Sequence, residues 1–337
     1  MSLEPSVGET FLLGFRGTTV PAWLHDFARQ HGLGGVILFD YDVPTARRGR
    51  NIESPRQLET LCREVHALPS RPLVFIDQEG GQVRRLKEPL GFAPLPSARS
   101  FAALSLAERR EVARTSVEEM RRLGIDFDLA PVIDLDTNPQ NPNIGAIKRS
   151  YSPDIEGVRA NAHLFGEAAR DAGLQLCVKH YPGLGGATVD SHQELTELDG
   201  RFNAAQEALF SELARDLPGE AILLSHGLVR EWDAEWPVSI SQPAIARLRA
   251  AAPDALLVTD DLQMEGLRRV APLDDACLRG LRAGVDLLCV GNNLAYDEAA
   301  VWSAVESVSR ACQADAFRAR IGEASARVQA RKRDASP

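Results

Sequence analysis

The feature that most constrains the fold is a series of eight short apolar runs spread along the 337 residues. Each run is continuously hydrophobic, which is typical of strands buried on both faces of a parallel sheet. Amphipathic segments suited to helices lie between most of the runs. The runs are TFLLGF (10–15), GVILF (35–39), PLVFID (72–77), FDLAPVID (127–134), LQLCVKH (174–180), AILLSH (221–226), ALLVTD (255–260) and VDLLCVG (285–291).

Eight strand–helix units in a chain of this length predict an α/β fold, a single-domain (β/α)8 TIM-type barrel. An eight-stranded open sheet is the alternative. We assign residues 1–320 to the barrel and residues 321–337 to the end of a C-terminal helix and a flexible tail.

Two helix starts are marked by capping sequences. Ser54 is followed by a proline and by Gln57, and Ser105 is followed by Glu108. Both patterns place an N-cap hydroxyl three residues before a side chain that can close a capping box. The second helix is predicted to extend to about Arg122.

Composition excludes several classes of function. The 38 basic and 47 acidic residues give a net charge of -9, which opposes binding to nucleic acid or to anionic lipid. The N-terminus has no export signal pattern, and no segment approaches the roughly 18 apolar residues of a membrane helix. Five scattered cysteines indicate buried thiols in a reducing compartment. We therefore expect a cytoplasmic protein without nucleic-acid or membrane partners, and its oligomeric state stays open.

Several of the apolar runs end in polar residues. In a (β/α)8 barrel the C-terminal ends of the strands carry the chemistry, so these residues are expected to converge on one rim. Each has a structural interpretation as well, since an aspartate pair can cap a helix and a histidine can be a satisfied core residue. The strand-end residues are Asp77, Lys179, His180, His226, Asp260 and Asp261.

The segment VKHYPGLGGATVDSH (178–192) combines proline and glycine with titratable residues, as expected of an active-site loop. Asp190 can orient the imidazole of His192, and a carboxylate nucleophile with a separate proton donor is the chemistry of retaining glycoside hydrolysis. A zinc site built on His180 and His226 lacks further ligands. A Schiff-base aldolase with Lys179 as nucleophile stays open, although the polar loop disfavours it.

Four ordered motifs resemble glycoside hydrolase family 3, in its single-domain β-N-acetylhexosaminidase branch, from about residue 8 to residue 292. They are IDQEGGQVRRL (76–86), GIDFDLAPVIDLD (124–136), VKHYPGLGGATVDSH (178–192) and VTDDLQMEG (258–266). The resemblance implies that Asp260 is the catalytic nucleophile, that His192 is the acid/base and that Asp190 is its partner. The positions that match sugar contacts are Asp77, Arg85, Arg149, Lys179 and His180.

The resemblance implies a retaining glycosidase that removes terminal β-linked N-acetylhexosamine and uses no metal or organic cofactor. The sugar that it implies first is N-acetylglucosamine. The implied substrate is a small carbohydrate, such as a fragment produced during cell-wall recycling. Two positions depart from the family pattern: Leu184 replaces a histidine, and Asp40-Tyr41-Asp42 replaces an Arg-Asn pair. A β-glucosidase-like specificity, a catalytically silent glycan-binding barrel and phosphorolysis in place of hydrolysis therefore remain alternatives.

Overall fold

The computed structural model describes residues 6–189 and 194–335, and twelve strands are assigned within this part of the chain. Eight form one parallel sheet, and the other four form two small two-stranded sheets. The strands are β1 (Phe11–Gly14), β2 (Gly35–Leu38), β3 (Tyr41–Asp42), β4 (Arg47–Arg48), β5 (Leu73–Ile76), β6 (Phe127–Asp128), β7 (Gln175–Tyr181), β8 (Thr196–Glu197), β9 (Ala221–Leu224), β10 (Gly227–Leu228), β11 (Leu256–Thr259) and β12 (Leu288–Val290).

The large sheet is a barrel. Its strand order is β11-β9-β7-β6-β5-β2-β1-β12, and a parallel bridge between Val258 and Leu287 joins β11 to β12. Each of the eight apolar runs contains or overlaps one barrel strand. The predicted (β/α)8 barrel is therefore confirmed, and the open sheet is excluded.

Strand β6 is shorter than the apolar run that predicted it. The run extends over residues 127–134, whereas regular pairing stops at Asp128. Pro131 has no N–H to give to the ladder, so regular pairing is interrupted there. Pairing to β7 resumes at a bridge between Val132 and Lys179, which brings the two polar strand ends together.

Helices connect most of the barrel strands and cover the outside of the barrel, as expected for βα units. They are α1 (Ala22–His31), α2 (Pro55–His66), α3 (Ala98–Ala102), α4 (Leu106–Arg122), α5 (Ile155–Ala172), α6 (Ala204–Asp216), α7 (Gln242–Ala251), α8 (Glu265–Arg268), α9 (Leu273–Ala283), α10 (Glu298–Ala311) and α11 (Asp315–Asp334), with 3-10 turns at Val7–Thr10, Glu88–Leu90 and Val238–Ile240.

The capping sequences form the predicted helix starts. Ser105 Oγ accepts from the N–H of Glu108, and the Glu108 carboxylate accepts from the N–H of Ser105, so this capping box is complete. At α2, Ser54 Oγ accepts from the N–H of Gln57. The Gln57 side chain instead accepts from the N–H of Glu53, one residue earlier than a capping box requires.

Two buried clusters build the core. One lies between the strands and the outer helices. The other fills the interior of the barrel with side chains from the strands, including Leu12, Phe75, Phe127 and Leu256. The rings of Phe75 and Phe127 stack with centroids 4.7 Å apart. Because side chains fill the interior, a ligand site must lie at an end of the barrel.

Helix α11 packs against the end of the barrel where the strands begin. Its Val328 belongs to the interior cluster, and Lys332 Nζ donates to the carbonyl oxygens of Leu33 and Ser70, which precede β2 and β5. We expected residues 321–337 to hold the end of a C-terminal helix and a flexible tail, and the helix runs to Asp334 with one of its faces buried. The boundary at residue 320 stays a prediction. Within the described ranges, every helix is too short or too polar to cross a bilayer.

Candidate active site

A cavity of about 420 Å³ opens where the barrel strands end. Every predicted site residue within the described ranges lines it, although these residues come from four regions of the sequence. Asp190 and His192 lie outside the described residues. The residues brought together are Asp77, Arg85, Arg149, Lys179, His180 and Asp260.

Lys179 is the centre of a buried ion network. Its Nζ lies 2.7 Å from Asp77 Oδ1 and 2.6 Å from Glu79 Oε1, and its side chain is 3% exposed. Arg85 Nη2 lies 3.0 Å from the other oxygen of Asp77. The geometry follows from topology, because Asp77 directly follows β5, Lys179 lies near the C-terminal end of β7, and both strands end on the same rim.

The network fixes the charges of its members. Burial by itself would raise the pKa of Glu79, but Arg149 and Lys179 lower it to about 2. The pKa of Asp77 is likewise held well below its usual range by Lys179 and Arg85, against the effect of burial. Burial lowers the pKa of Lys179, but its two carboxylates outweigh that effect and raise it overall. A permanently charged ammonium is a poor nucleophile, which argues against the Schiff-base aldolase.

Arg149 and Glu79 form a two-point ion pair. Arg149 Nε and Nη2 each lie 2.7 Å from an oxygen of the Glu79 carboxylate, and Nη1 donates to the carbonyl oxygen of Asn143 at 2.8 Å. Such a pair fixes the plane of the guanidinium. Our sequence reasoning missed Glu79, although it lies inside the motif IDQEGGQVRRL.

The imidazole of His180 is held in one tautomer. Its Nε2 lies 3.0 Å from Arg149 Nη2, and its Nδ1 lies 2.7 Å from Asp134 Oδ2. A guanidinium only donates, so Nε2 accepts and the network assigns the proton to Nδ1, which donates to Asp134. Asp134 also accepts from the N–H of Leu184 at 2.6 Å. Sequence reasoning missed Asp134 too, although it lies in the motif GIDFDLAPVIDLD.

Asp260 and Asp261 have different surroundings. Asp261 Oδ1 accepts from the N–H groups of Gln263 at 3.0 Å and Gly291 at 3.1 Å, and the Asp261 carbonyl oxygen lies 2.9 Å from His226 Nε2. These contacts tie the end of β11 to the end of β12. Asp260 Oδ1 accepts from the N–H of Asp261 at 2.8 Å. His226 therefore helps to fix the end of β11.

Asparagines in the segment TNPQNPN hold the loop after β7. Asn141 Nδ2 donates to the carbonyl oxygens of Leu184 at 2.6 Å and Gly185 at 3.0 Å, and Asn143 Nδ2 donates to that of Val189 at 2.7 Å. Leu184, which departs from the family pattern, is buried and lines the cavity. These asparagines carry no distinctive signal in the sequence, because turn asparagines are common in loops.

Residues 19–330 match the family described as "Glycosyl hydrolase family 3 N terminal domain". The chain belongs to glycoside hydrolase family 3. The resemblance inferred from the four motifs is confirmed, and this family 3 chain is a glycosidase.

Relatives of this family 3 chain are similar along most of its length. A protein named "Beta-hexosaminidase" from Methylococcus capsulatus is 33% identical over 289 residues, which cover 82% of this chain and 80% of that protein. The β-N-acetylhexosaminidase from Beutenbergia cavernae has a similar structure, with a TM-score of 0.82, 28% identity and 98% of each chain covered. A family 3 β-N-acetylglucosaminidase from Paenibacillus has a TM-score of 0.86 and 27% identity, and this chain covers 63% of it.

Proposed function

We propose that this family 3 glycosidase removes terminal β-linked N-acetylhexosamine, with N-acetylglucosamine preferred, and retains the anomeric configuration. One observation carries the proposal: six residues that match the family's catalytic and sugar-binding positions line a single cavity. The names of the relatives, which are hexosaminidases and N-acetylglucosaminidases, support the choice of sugar.

In the proposed mechanism Asp260 attacks the anomeric carbon and His192 protonates the leaving oxygen. The glycosidic C–O bond breaks as the bond to Asp260 forms, which leaves a glycosyl-aspartate. A water molecule then attacks the same carbon while His192 takes a proton from that water. The bond between the sugar and Asp260 breaks, and the Asp260 carboxylate is released. Asp190 orients His192. The role of Asp260 is supported by its place on the cavity, and the roles of Asp190 and His192 rest on the family resemblance.

The charged network is proposed to bind the sugar hydroxyls. Lys179, Arg85 and Arg149 donate, and Asp77 accepts. Because each of these side chains is already fixed by an ion pair, little reorganisation is needed when the sugar binds or when charge develops at the anomeric carbon.

Turnover of aryl glycosides tests the proposal against its alternatives. The enzyme should hydrolyse p-nitrophenyl β-N-acetylglucosaminide faster than the matching β-glucoside. A preference for the glucoside would support the β-glucosidase-like alternative, and no turnover of either would support a silent glycan-binding barrel. Repeating the assay with phosphate separates phosphorolysis from hydrolysis.

The nucleophile is tested by trapping. Asp260→Ala should abolish turnover, and a 2-fluoro glycoside should leave a covalent sugar on the peptide at Asp260. Asp261→Asn is the matched control, because an amide oxygen still accepts from Gln263 and Gly291 and turnover should persist. A label found on Asp261 would overturn the assignment.

The acid/base is tested by varying the leaving group. A dinitrophenolate leaves without protonation, whereas an alkoxide needs a proton. His192→Ala should therefore slow alkyl glycosides far more than dinitrophenyl glycosides, and Asp190→Ala should show the same pattern more weakly. If the rate depended on the acidity of the leaving group with the same slope in wild type and in His192→Ala, this role would be refuted.

We also propose that the enzyme acts in the cytoplasm and needs no metal or organic cofactor. A cell-wall fragment is the substrate that the family resemblance implies. All five cysteines are free and four are buried, as expected in a reducing compartment. Cell fractionation tests the location, and turnover that survives dialysis against a chelator tests the independence from metal.

A further inference from the structure

Exposed apolar side chains are concentrated at the mouth of the cavity. Four large hydrophobic residues are exposed in the described ranges, and three of them line the cavity: Tyr41 (39% exposed), Val43 (46%) and Leu294 (36%). Single exposed apolar side chains are ordinary, but a cluster at the edge of a ligand cavity marks a binding surface. We call Tyr41, Val43 and Leu294 the apolar rim.

Two of the rim residues belong to a small hairpin inserted after β2. Strand β3 pairs antiparallel with β4, with Tyr41 opposite Arg48. The residue between the two rim side chains, Asp42, points inward: it is 4% exposed and accepts from Arg16 and Arg50, each at 2.7 Å. The hairpin therefore buries its carboxylate and exposes its apolar side chains, the reverse of what solvation alone would favour.

The apolar rim is held in place. Asn293 Oδ1 accepts from the N–H of Val43 at 3.2 Å, and Asn293 Nδ2 donates to the carbonyl oxygen of Tyr41 at 3.1 Å. Arg50 Nη2 donates to the carbonyl oxygen of Asn292 at 2.7 Å. These bonds join the hairpin to the loop after β12, which carries Leu294. The three side chains thus form one preorganised surface.

We propose that the apolar rim binds the leaving group of the glycoside, and that this group is an alkyl or aromatic aglycone. The inference rests on the proposed glycosidase function. It departs from the cell-wall fragment that the family resemblance implies, because the leaving group of such a fragment is itself a sugar. A terminal sugar bound among the charged residues and Asp260 must project its leaving group out through the mouth, where the rim lies. A sugar as leaving group would present hydroxyls, but the rim side chains offer mainly apolar contact, so an apolar group is the better match.

Methyl and hexyl β-N-acetylglucosaminide test the proposal, because their leaving groups have nearly equal acidity and differ in apolar area. Burial of about two methylene groups of the hexyl chain corresponds to a hexyl-to-methyl ratio of kcat/KM of roughly tenfold. Tyr41→Ser combined with Leu294→Ser should bring this ratio close to one. Tyr41→Phe should keep it, because the ring remains.

Leu106→Ser is the matched control, since Leu106 is the fourth exposed apolar residue, at 49%, begins helix α4 and is not among the residues that line the cavity. A folding defect lowers both rates together and leaves the ratio unchanged. Equal rates for the two glycosides with the wild type would overturn the proposed role of the apolar rim, while the proposed function would stand. An unchanged ratio in the serine variant, with a change in oligomeric mass, would assign the rim to self-association and overturn the proposal.

The same pair of β-glucosides is measured in parallel. A hexyl preference seen only with glucosides would overturn the N-acetyl specificity and keep the apolar rim. No turnover of any of the four substrates would overturn both.

Discussion

The ion pair that anchors helix α11 provides a quantitative test of the fold. Lys332 Nζ lies 2.5 Å from Glu9 Oε2 and donates to two backbone carbonyl oxygens at 2.8 and 2.9 Å. Both side chains are buried, with 7% and 5% of their surfaces exposed. Lys332→Met keeps most of the apolar stem but removes the charge and all three bonds.

The expected cost follows from this burial. Breaking a buried ion pair leaves an uncompensated charge and costs about 3–5 kcal/mol. Burial already raises the pKa of Glu9, and loss of Lys332 should raise it further. A group whose folded pKa is raised loses its contribution to stability as pH rises through that pKa, so the variant should be less destabilised at pH 5 than at pH 8.

Urea unfolding at pH 5 and pH 8 measures both effects. Glu9→Gln combined with Lys332→Met removes the unpaired carboxylate, so it should recover about 1–3 kcal/mol of the loss at pH 8 and remove the extra pH dependence. Arg333→Met is the control, since Arg333 is the exposed neighbour on the same helix. A cost below about 1 kcal/mol for Lys332→Met, or a double variant no more stable than the single one, would refute the reasoning.

Two further predictions concern the strand ends. Asp128 is fully buried, and burial raises its pKa to about 7, so its contribution to the free energy of unfolding falls by at most about 4 kcal/mol between pH 4 and pH 7. The free energy of unfolding, measured with urea, should therefore depend less on pH for Asp128→Asn than for the wild type. An equal dependence would contradict the raised pKa. Lys179→Met leaves Asp77 and Glu79 with one cation each, Arg85 and Arg149, and should lower kcat/KM by roughly tenfold or more; kinetics at matched folded fraction that equal the wild type would place the sugar elsewhere.

The barrel and most of the residues that line the cavity could be predicted from the amino-acid sequence. Continuous apolar runs can only be buried on both faces, and eight of them with helices between have few closed arrangements. The helix start at Ser105 could also be predicted, because a capping box depends only on residues three positions apart. The cavity residues were predicted because strand ends must meet at one rim and because the motifs matched a family.

Features that depend on contacts between distant segments could not be predicted from the sequence and became clear only in the folded chain. Glu79 and Arg149 are 70 residues apart, and the tautomer of His180 follows from Asp134 and Arg149 on two other segments. No local pattern encodes such distances. Helix α11 is the clearest case: its end RKRDASP is polar enough to suggest a tail, yet one of those charged residues, Lys332, is buried, because Glu9 and two backbone carbonyls from the start of the chain supply its partners.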